Sequence, residues 1–150
     1  MGGMAMDQEG FEQLKVYTAL WQESNAMYEK WAEKRGLSFY ELLVALSLVE
    51  ADGNCKQTDI CTQWLLPKQT VHTILKAFVK KEWVVLTPSE VDRRNKIIGL
   101  TQTGRQVLCA VAEDLQAHEC LVWEKLGPRR TKALLENTAR YNQLFKEVSG

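Results

Sequence analysis

The stretch TDICTQWLLPKQTVHTILKAFVKKEWV, residues 58–84, decides the fold. Its second half carries Val71, Ile74, Leu75, Phe78 and Val79 at i, i+3, i+4, i+7 and i+8. That spacing lays apolar side chains along one stripe of an α-helix. Pro67 precedes the stripe and suits a first helical position, where its missing N–H is not needed. With Val71 at zero and 100° per residue, Gln69, Thr73, Lys76 and Lys80 fall between roughly 140° and 200°, opposite the stripe. Thr70 and His72 flank them, Lys68 opens the helix, and no acidic residue follows until Glu82. An ordinary solvated face mixes both charge signs, so this one fits a polyanion. Gln pairs in bidentate fashion with adenine, Thr touches a thymine methyl, and Lys neutralises phosphate. The first half, near Lys56 to Trp64, predicts a shorter helix that offers Ile60, Cys61 and Trp64 to the core. Two short helices joined by a tight turn, the second amphipathic and rich in donors, meet the requirements of a helix-turn-helix.

Outward from this centre the pattern changes period. Trp83–Leu86 and Lys96–Leu100 predict two strands of a hairpin, joined by a polar loop from Thr87 to Asn95. Two arginines, Arg93 and Arg94, stand in that loop, with Asp92 expected to hold one of their side chains extended and Lys96 beside them. Guanidinium groups are drawn to narrow A·T minor grooves. On the N-terminal side, residues 8–35 read as one long helix with Phe11, Leu14, Thr18 and Trp21 on one face, and Gly36 at its C′ position. Ser38 and Glu41 form a capping box ahead of LLVALSLVE, a helix apolar nearly all round and so the expected centre of the core. Asp52-Gly53-Asn54 ends it in a turn. Beyond Thr101, Leu108, Val111, Leu115, His118, Val122 and Leu126 form another helical stripe, broken at Gly127-Pro128. A last helix aligns Leu134, Thr138, Tyr141, Phe145 and Val148.

The fold class is therefore mainly α with a small β-hairpin: a winged helix-turn-helix with long terminal helices, one domain over residues 1–150. A formal net charge of zero at first argues against a nucleic-acid partner, but the distribution of charge argues for one. Residues 1–55 hold 4 Lys/Arg against 9 Asp/Glu, residues 56–105 hold 9 against 4, and residues 106–150 hold 6 of each. The basic third coincides with the helix-turn-helix and hairpin. No apolar run reaches the length of a membrane span. The opening residues lack a basic n-region and an apolar h-region, so a cytoplasmic protein is expected. Cys55, Cys61, Cys109 and Cys120 lack C-x-x-C spacing, which disfavours a zinc site and a disulfide framework and favours buried thiols.

These residues resemble the MarR family of bacterial regulators. The likeness rests on the helix-turn-helix run, on D-x-R-x-K in the wing (Asp92, Arg94, Lys96), and on L-T-x-x-G (Leu100, Thr101, Gly104). It implies a homodimer in which helices 8–35 and 104–148 interlock and residues 37–101 form the DNA-binding lobe. It also implies that the helix after Pro67 reads the major groove while Arg94 enters the minor groove. Two positions depart from the family pattern: Trp64-Leu65-Leu66 stands where the turn usually has a glycine, and Glu82 replaces the glycine after the recognition helix. Some relatives carry a redox-sensing cysteine near the start of the first helix, where this sequence has none.

The DNA-binding candidates are thus Lys68, Gln69, Thr70, His72, Thr73, Lys76, Arg93, Arg94 and Lys96. Tyr17, Trp21, Tyr40 and Trp123 are candidates for a pocket that takes a small aromatic or apolar effector between the dimer helices and the DNA-binding lobe. No glycine-rich phosphate loop, nucleophile motif or paired carboxylate points to an enzyme, so catalytic residues, metal and cofactors are all expected to be none. His118-Glu119-Cys120 cannot converge on one ion, because consecutive helical side chains point 100° apart. The expected partners are double-stranded DNA, most simply an inverted-repeat operator under repression, and a second copy of the chain. The competing reading is a winged-helix protein–protein module whose basic middle third is incidental.

Overall fold

The computed structural model describes residues 5–92 and 94–150. Its elements follow the order α1 (Gln8–Glu33), α2 (Phe39–Ala51), β1 (Cys55–Lys56), α3 (Gln57–Trp64), α4 (Lys68–Lys80), β2 (Val84–Pro88), β3 (Lys96–Leu100), α5 (Gln102–Leu126) and α6 (Pro128–Ser149). The chain divides into two compact units, one ending at Leu108 and the other running from Cys109 to the C-terminus. No helix among the described residues is long and apolar enough to cross a membrane.

The first unit is built around α2. The Ser38 hydroxyl accepts the Glu41 N–H at 3.1 Å, and Glu41 accepts the Ser38 N–H at 3.1 Å, so the expected capping box is formed. Leu42, Val44, Ala45 and Leu48 of α2 are buried together with Ile60, Val71, Leu75, Phe78, Val84 and Ile98. The α4 stripe holds at four of its five positions, and Val79, on its flank, is exposed. The sheet is larger than a hairpin by one short strand. β3 sits in the middle, antiparallel to both neighbours, with Cys55 opposite Ile98 on one side and Leu86 opposite Ile98 on the other. Two residues are too few to show an alternating pattern, and β1 exists because β3 offers it an edge. β2 begins at Val84 rather than Trp83 and ends at Pro88, a residue tolerated on an edge strand.

Leu100, Thr101 and Gly104 lock the wing to α5. Thr101 donates its N–H to the Trp83 carbonyl at 3.0 Å and its hydroxyl to the Glu82 carbonyl at 2.5 Å. The same hydroxyl accepts the Gly104 N–H at 2.9 Å, capping α5. A Cβ on Gly104 would lie 1.8 Å from the Trp83 carbonyl oxygen, so the L-T-x-x-G glycine is required by close backbone approach. In the second unit α6 starts with Pro128 at its first turn, after Gly127 at φ +85°. None of its 22 residues is buried. Of the cysteines only Cys55 is buried; Cys61 and Cys109 are half-buried and Cys120 is exposed. The expectation of four buried thiols is corrected to one.

Candidate nucleic-acid interface

The helix-turn-helix is positioned by polar contacts that the apolar pattern does not reveal. The Trp64 indole N–H donates to Ser47 Oγ at 2.6 Å, and that hydroxyl donates to Gln63 Oε1 at 2.6 Å. Gln63 Nε2 in turn donates to Glu50 Oε2 at 3.2 Å. This chain pins the last turn of α3 to α2, and Ser47, buried in α2, is fully satisfied. At the other end of α3 the Asp59 carboxylate accepts the Lys56 N–H at 3.0 Å, and Gln57 Nε2 reaches the Lys68 carbonyl at 3.1 Å, tying α3 to the start of α4. Pro67 is the N-cap of α4 and not its first helical residue, a displacement of one position.

Both departures from the family's glycines keep the glycine's backbone shape. Leu65, in the turn between α3 and α4, has φ +53°, and Glu82, after α4, has φ +61°. Glu82 sits within a Schellman closure, with Glu82 N–H on the Val79 carbonyl and Trp83 N–H on the Phe78 carbonyl, each at 2.9 Å. The apolar contact that accompanies this motif is present: the Phe78 and Trp83 rings lie 5.3 Å apart. The geometry of the turn has thus been preserved at the cost of left-handed strain in two side-chain-bearing residues.

Between α3, α4 and the wing lies a cleft of about 420 Å³. Lys68, His72 and Lys76 enter from α4, and Arg94 and Lys96 from the wing. Gln57, Thr58, Cys61 and Thr62 line it from α3, Asn95 from the wing, and Leu75, Leu86 and Ile98 are apolar residues of its lining. Among the described residues no acidic residue lines the cleft and none of its four Lys and Arg cations has an ion-pair partner. Five of the nine predicted DNA-binding residues therefore meet in one basic concavity. Gln69 and Thr73 are exposed on α4 outside it, and Thr70 is half-buried. The Thr73 hydroxyl donates to the Gln69 carbonyl at 3.0 Å, so its proton is already used. Arg93 lies outside the described residues.

Two expectations about side chains are revised, the second for Arg94 alone. Cys61, expected in the core, instead lines the cleft, while Trp64 is half-buried with its N–H bonded as above. Asp92 accepts the backbone N–H of Arg94 at 3.0 Å, leaving the Arg94 guanidinium without an intramolecular partner among the described residues. Gln57, Thr58 and Thr62 escape a reading of α3 that follows only its core-facing residues. Their hydroxyls and amide are donors for phosphate. Tyr17 and Trp21 lie on α1 and Tyr40 at the start of α2, all exposed, and Trp123 is exposed on the part of α5 in the second unit. The Cys55 thiol is pushed from 9.0 up to about 11, first by burial and then by the charge of Asp59. Among the described residues no group of His, Cys, Asp and Glu is placed to hold a metal ion.

The sequence pattern of the MarR family matches residues 35–95, the stretch that holds α2, the helix-turn-helix and most of the wing. Among curated proteins none matches the sequence. A MarR family regulator from Neisseria meningitidis is similar in structure, with a TM-score of 0.75 and 25% identity over 95% of this chain and 96% of that one. Reduced AbfR, solved bound to DNA, is also 25% identical, with a TM-score of 0.74 over 97% of this chain and 100% of its own. AbsC of Streptomyces coelicolor, a MarR family transcriptional regulator, has a TM-score of 0.80 over 97% and 99% at 16% identity, a likeness of fold. Pattern, whole-length likeness and the glycine-shaped turns at Leu65 and Glu82 agree: over residues 35–95 the chain matches the MarR family pattern, and over nearly its whole length it is similar in structure to MarR family regulators.

Proposed function

We propose that the chain is a sequence-specific DNA-binding repressor that occupies inverted-repeat operators as a homodimer. The observation that carries this reading is the acid-free cleft in which Lys68, His72 and Lys76 of the recognition helix face Arg94 and Lys96 of the wing. Such a surface binds phosphate through counterion release, and α4, thirteen residues and about 20 Å long, suits a major groove. The related AbfR is solved on DNA. The homodimer is supported by α6, which leaves Tyr141, Leu144, Phe145 and Val148 exposed, Val148 at 88%, and by Phe11, Leu14 and Trp21 exposed on α1. Amphipathic helices of this length that bury so little need a partner, and a two-fold copy supplies one. The two recognition helices of such a dimer would stand one helical turn apart, about 34 to 36 Å.

Release by a small aromatic or apolar effector belongs to the same proposal, with Tyr17, Trp21, Tyr40 and Trp123 as its contacts. Stabilisation by a ligand found among phenols and aromatic carboxylates should vanish in Trp21→Ala and Tyr40→Ala; a stabilising ligand indifferent to both would remove these contacts.

The test of the function is selection of duplexes by the purified protein from a random-sequence pool. Enrichment of inverted repeats is the expected result. Enrichment of single asymmetric elements would remove the two-fold arrangement, and no enrichment at all would leave the protein-interaction module as the better account.

A further inference from the structure

The wing ends in a braced turn that displays an apolar side chain. Val91 is 97% exposed, more than any other large hydrophobic residue described. Ser89, only 6% exposed, turns its hydroxyl oxygen to the N–H groups of Val91 at 3.3 Å and Asp92 at 3.4 Å. Its own N–H donates to the Asn95 carbonyl at 3.0 Å and closes the loop. Asn95 N–H returns to the Asp92 carbonyl at 3.0 Å, and the Asp92 carboxylate accepts the Arg94 N–H at 3.0 Å and Asn95 Nδ2 at 3.4 Å. The only acid between Val91 and Arg94 is therefore occupied by its own loop.

We propose that Val91 is itself a DNA contact, packing against the deoxyribose walls of the minor groove while Arg94, three residues on, meets its potential. The proposal rests on the DNA-binding reading above. A lone exposed valine on a loose loop would be unremarked surface, but this one stands on a turn fixed by six hydrogen bonds, two of them accepted by a buried hydroxyl. Held there, the side chain gains nothing within the described chain. It precedes by three and five residues the two cations, Arg94 and Lys96, with which the wing lines the basic cleft. The sugars of a minor groove present C–H surface, which valine can desolvate and to which it brings no charge. Apolar burial is independent of counterion release, whereas a phosphate contact is not. Val91 would thus add affinity that is indifferent to salt and tolerant of sequence.

The test compares full-length wild type, Val91→Ser, Val91→Ile and Arg94→Ala on a duplex of about 30 base pairs that the wild type selects, long enough for two half-sites. Affinity is read by fluorescence anisotropy across a salt series, and association state by sedimentation. Val91→Ser should lose about three- to tenfold at every salt concentration, as expected for half-buried methyl groups in each of two subunits, with the wild-type slope retained. Val91→Ile should stay within about twofold of wild type, and Arg94→Ala should lose both affinity and about one unit of slope per subunit. Val91→Ser within twofold of wild type while Arg94→Ala is weakened would overturn this proposal alone. So would a Val91→Ser slope that falls with that of Arg94→Ala, or a change in association state with DNA affinity unaltered. A wild type that selects no duplex would take down the DNA-binding reading, and this contact with it.

Discussion

Gly104→Ala is the substitution whose effect the structure predicts with the least freedom. Gly104 stands in the first turn of α5 with ordinary helical backbone, so propensity alone would make alanine stabilising by about 1 kcal/mol. Contact reverses the sign. The new Cβ would meet the Trp83 carbonyl oxygen at 1.8 Å, its carbon at 2.6 Å and its Cα at 2.8 Å, all backbone atoms with no rotamer to change. The oxygen must retreat by about 1.6 Å to reach ordinary contact at 3.4 Å. That carbonyl accepts the Thr101 N–H, and Thr101 in turn holds the Glu82 carbonyl and caps Gly104. Losing two or three of these bonds at about 1 kcal/mol each, plus repacking of the Phe78–Trp83 contact, gives a net destabilisation of roughly 2 to 4 kcal/mol. Because β2 starts at Val84, the wing shifts with Trp83, and DNA affinity should fall even where the fold survives. Urea unfolding followed by circular dichroism, at one fixed protein concentration because the stability of the proposed dimer depends on it, measures the first effect. An alanine variant as stable as wild type would refute the close-approach reasoning and return Gly104 to an ordinary helical position.

Three further outcomes follow from the same geometry. Glu82→Gly removes a left-handed side chain worth roughly 1 to 2 kcal/mol of strain and gives back part of it to the unfolded chain, so the urea midpoint should rise by the equivalent of about 0.5 to 1 kcal/mol; a lower midpoint would contradict the φ of +61°. At pH 8 the Cys55 thiol, raised to about 11, should resist iodoacetamide in the folded protein while exposed Cys120 reacts, and equal rates at the two would contradict it. Since the folded thiol holds its proton more tightly than the unfolded one at 9.0, its stabilising contribution is full below pH 9 and is lost as pH climbs towards 11. Phe145→Asp with Val148→Asp should shift sedimentation from dimer to monomer or aggregate, and an unaltered dimer would move the interface away from α6.

The parts of this fold that are legible in the sequence are those written in local chemistry. Ser38 and Glu41 announce the start of α2 because a capping box is complete within four residues, and the α4 stripe needs only its own period. Gly36 and Gly127 mark the ends of α1 and α5 with positive φ. Whatever depends on a distant partner is hidden. β1 needs β3, which lies forty residues on, and the cleft-lining role of Gln57, Thr58 and Thr62 depends on how α3 is turned against α4 and the wing. Leu65 and Glu82 carry no mark of the left-handed region, since their conformation is imposed by the helices they join. Likewise charge alone matches Asp92 to an arginine side chain, whereas a short acidic side chain in a turn more readily accepts its neighbours' backbone N–H groups. Ser89 looks like any loop serine until its burial is seen.

In the proposed function the basic cleft shared by α4 and the wing holds the phosphates of DNA. The slope of log affinity against log salt, for wild type and Lys76→Ala, measures this. Lys68, Lys76, Arg94 and Lys96 in each of two subunits predict a wild-type slope of up to about −7, and Lys76→Ala should bring it closer to zero by about 2. A wild-type slope near zero, or a Lys76→Ala slope unchanged from wild type with the fold intact, would contradict the claim.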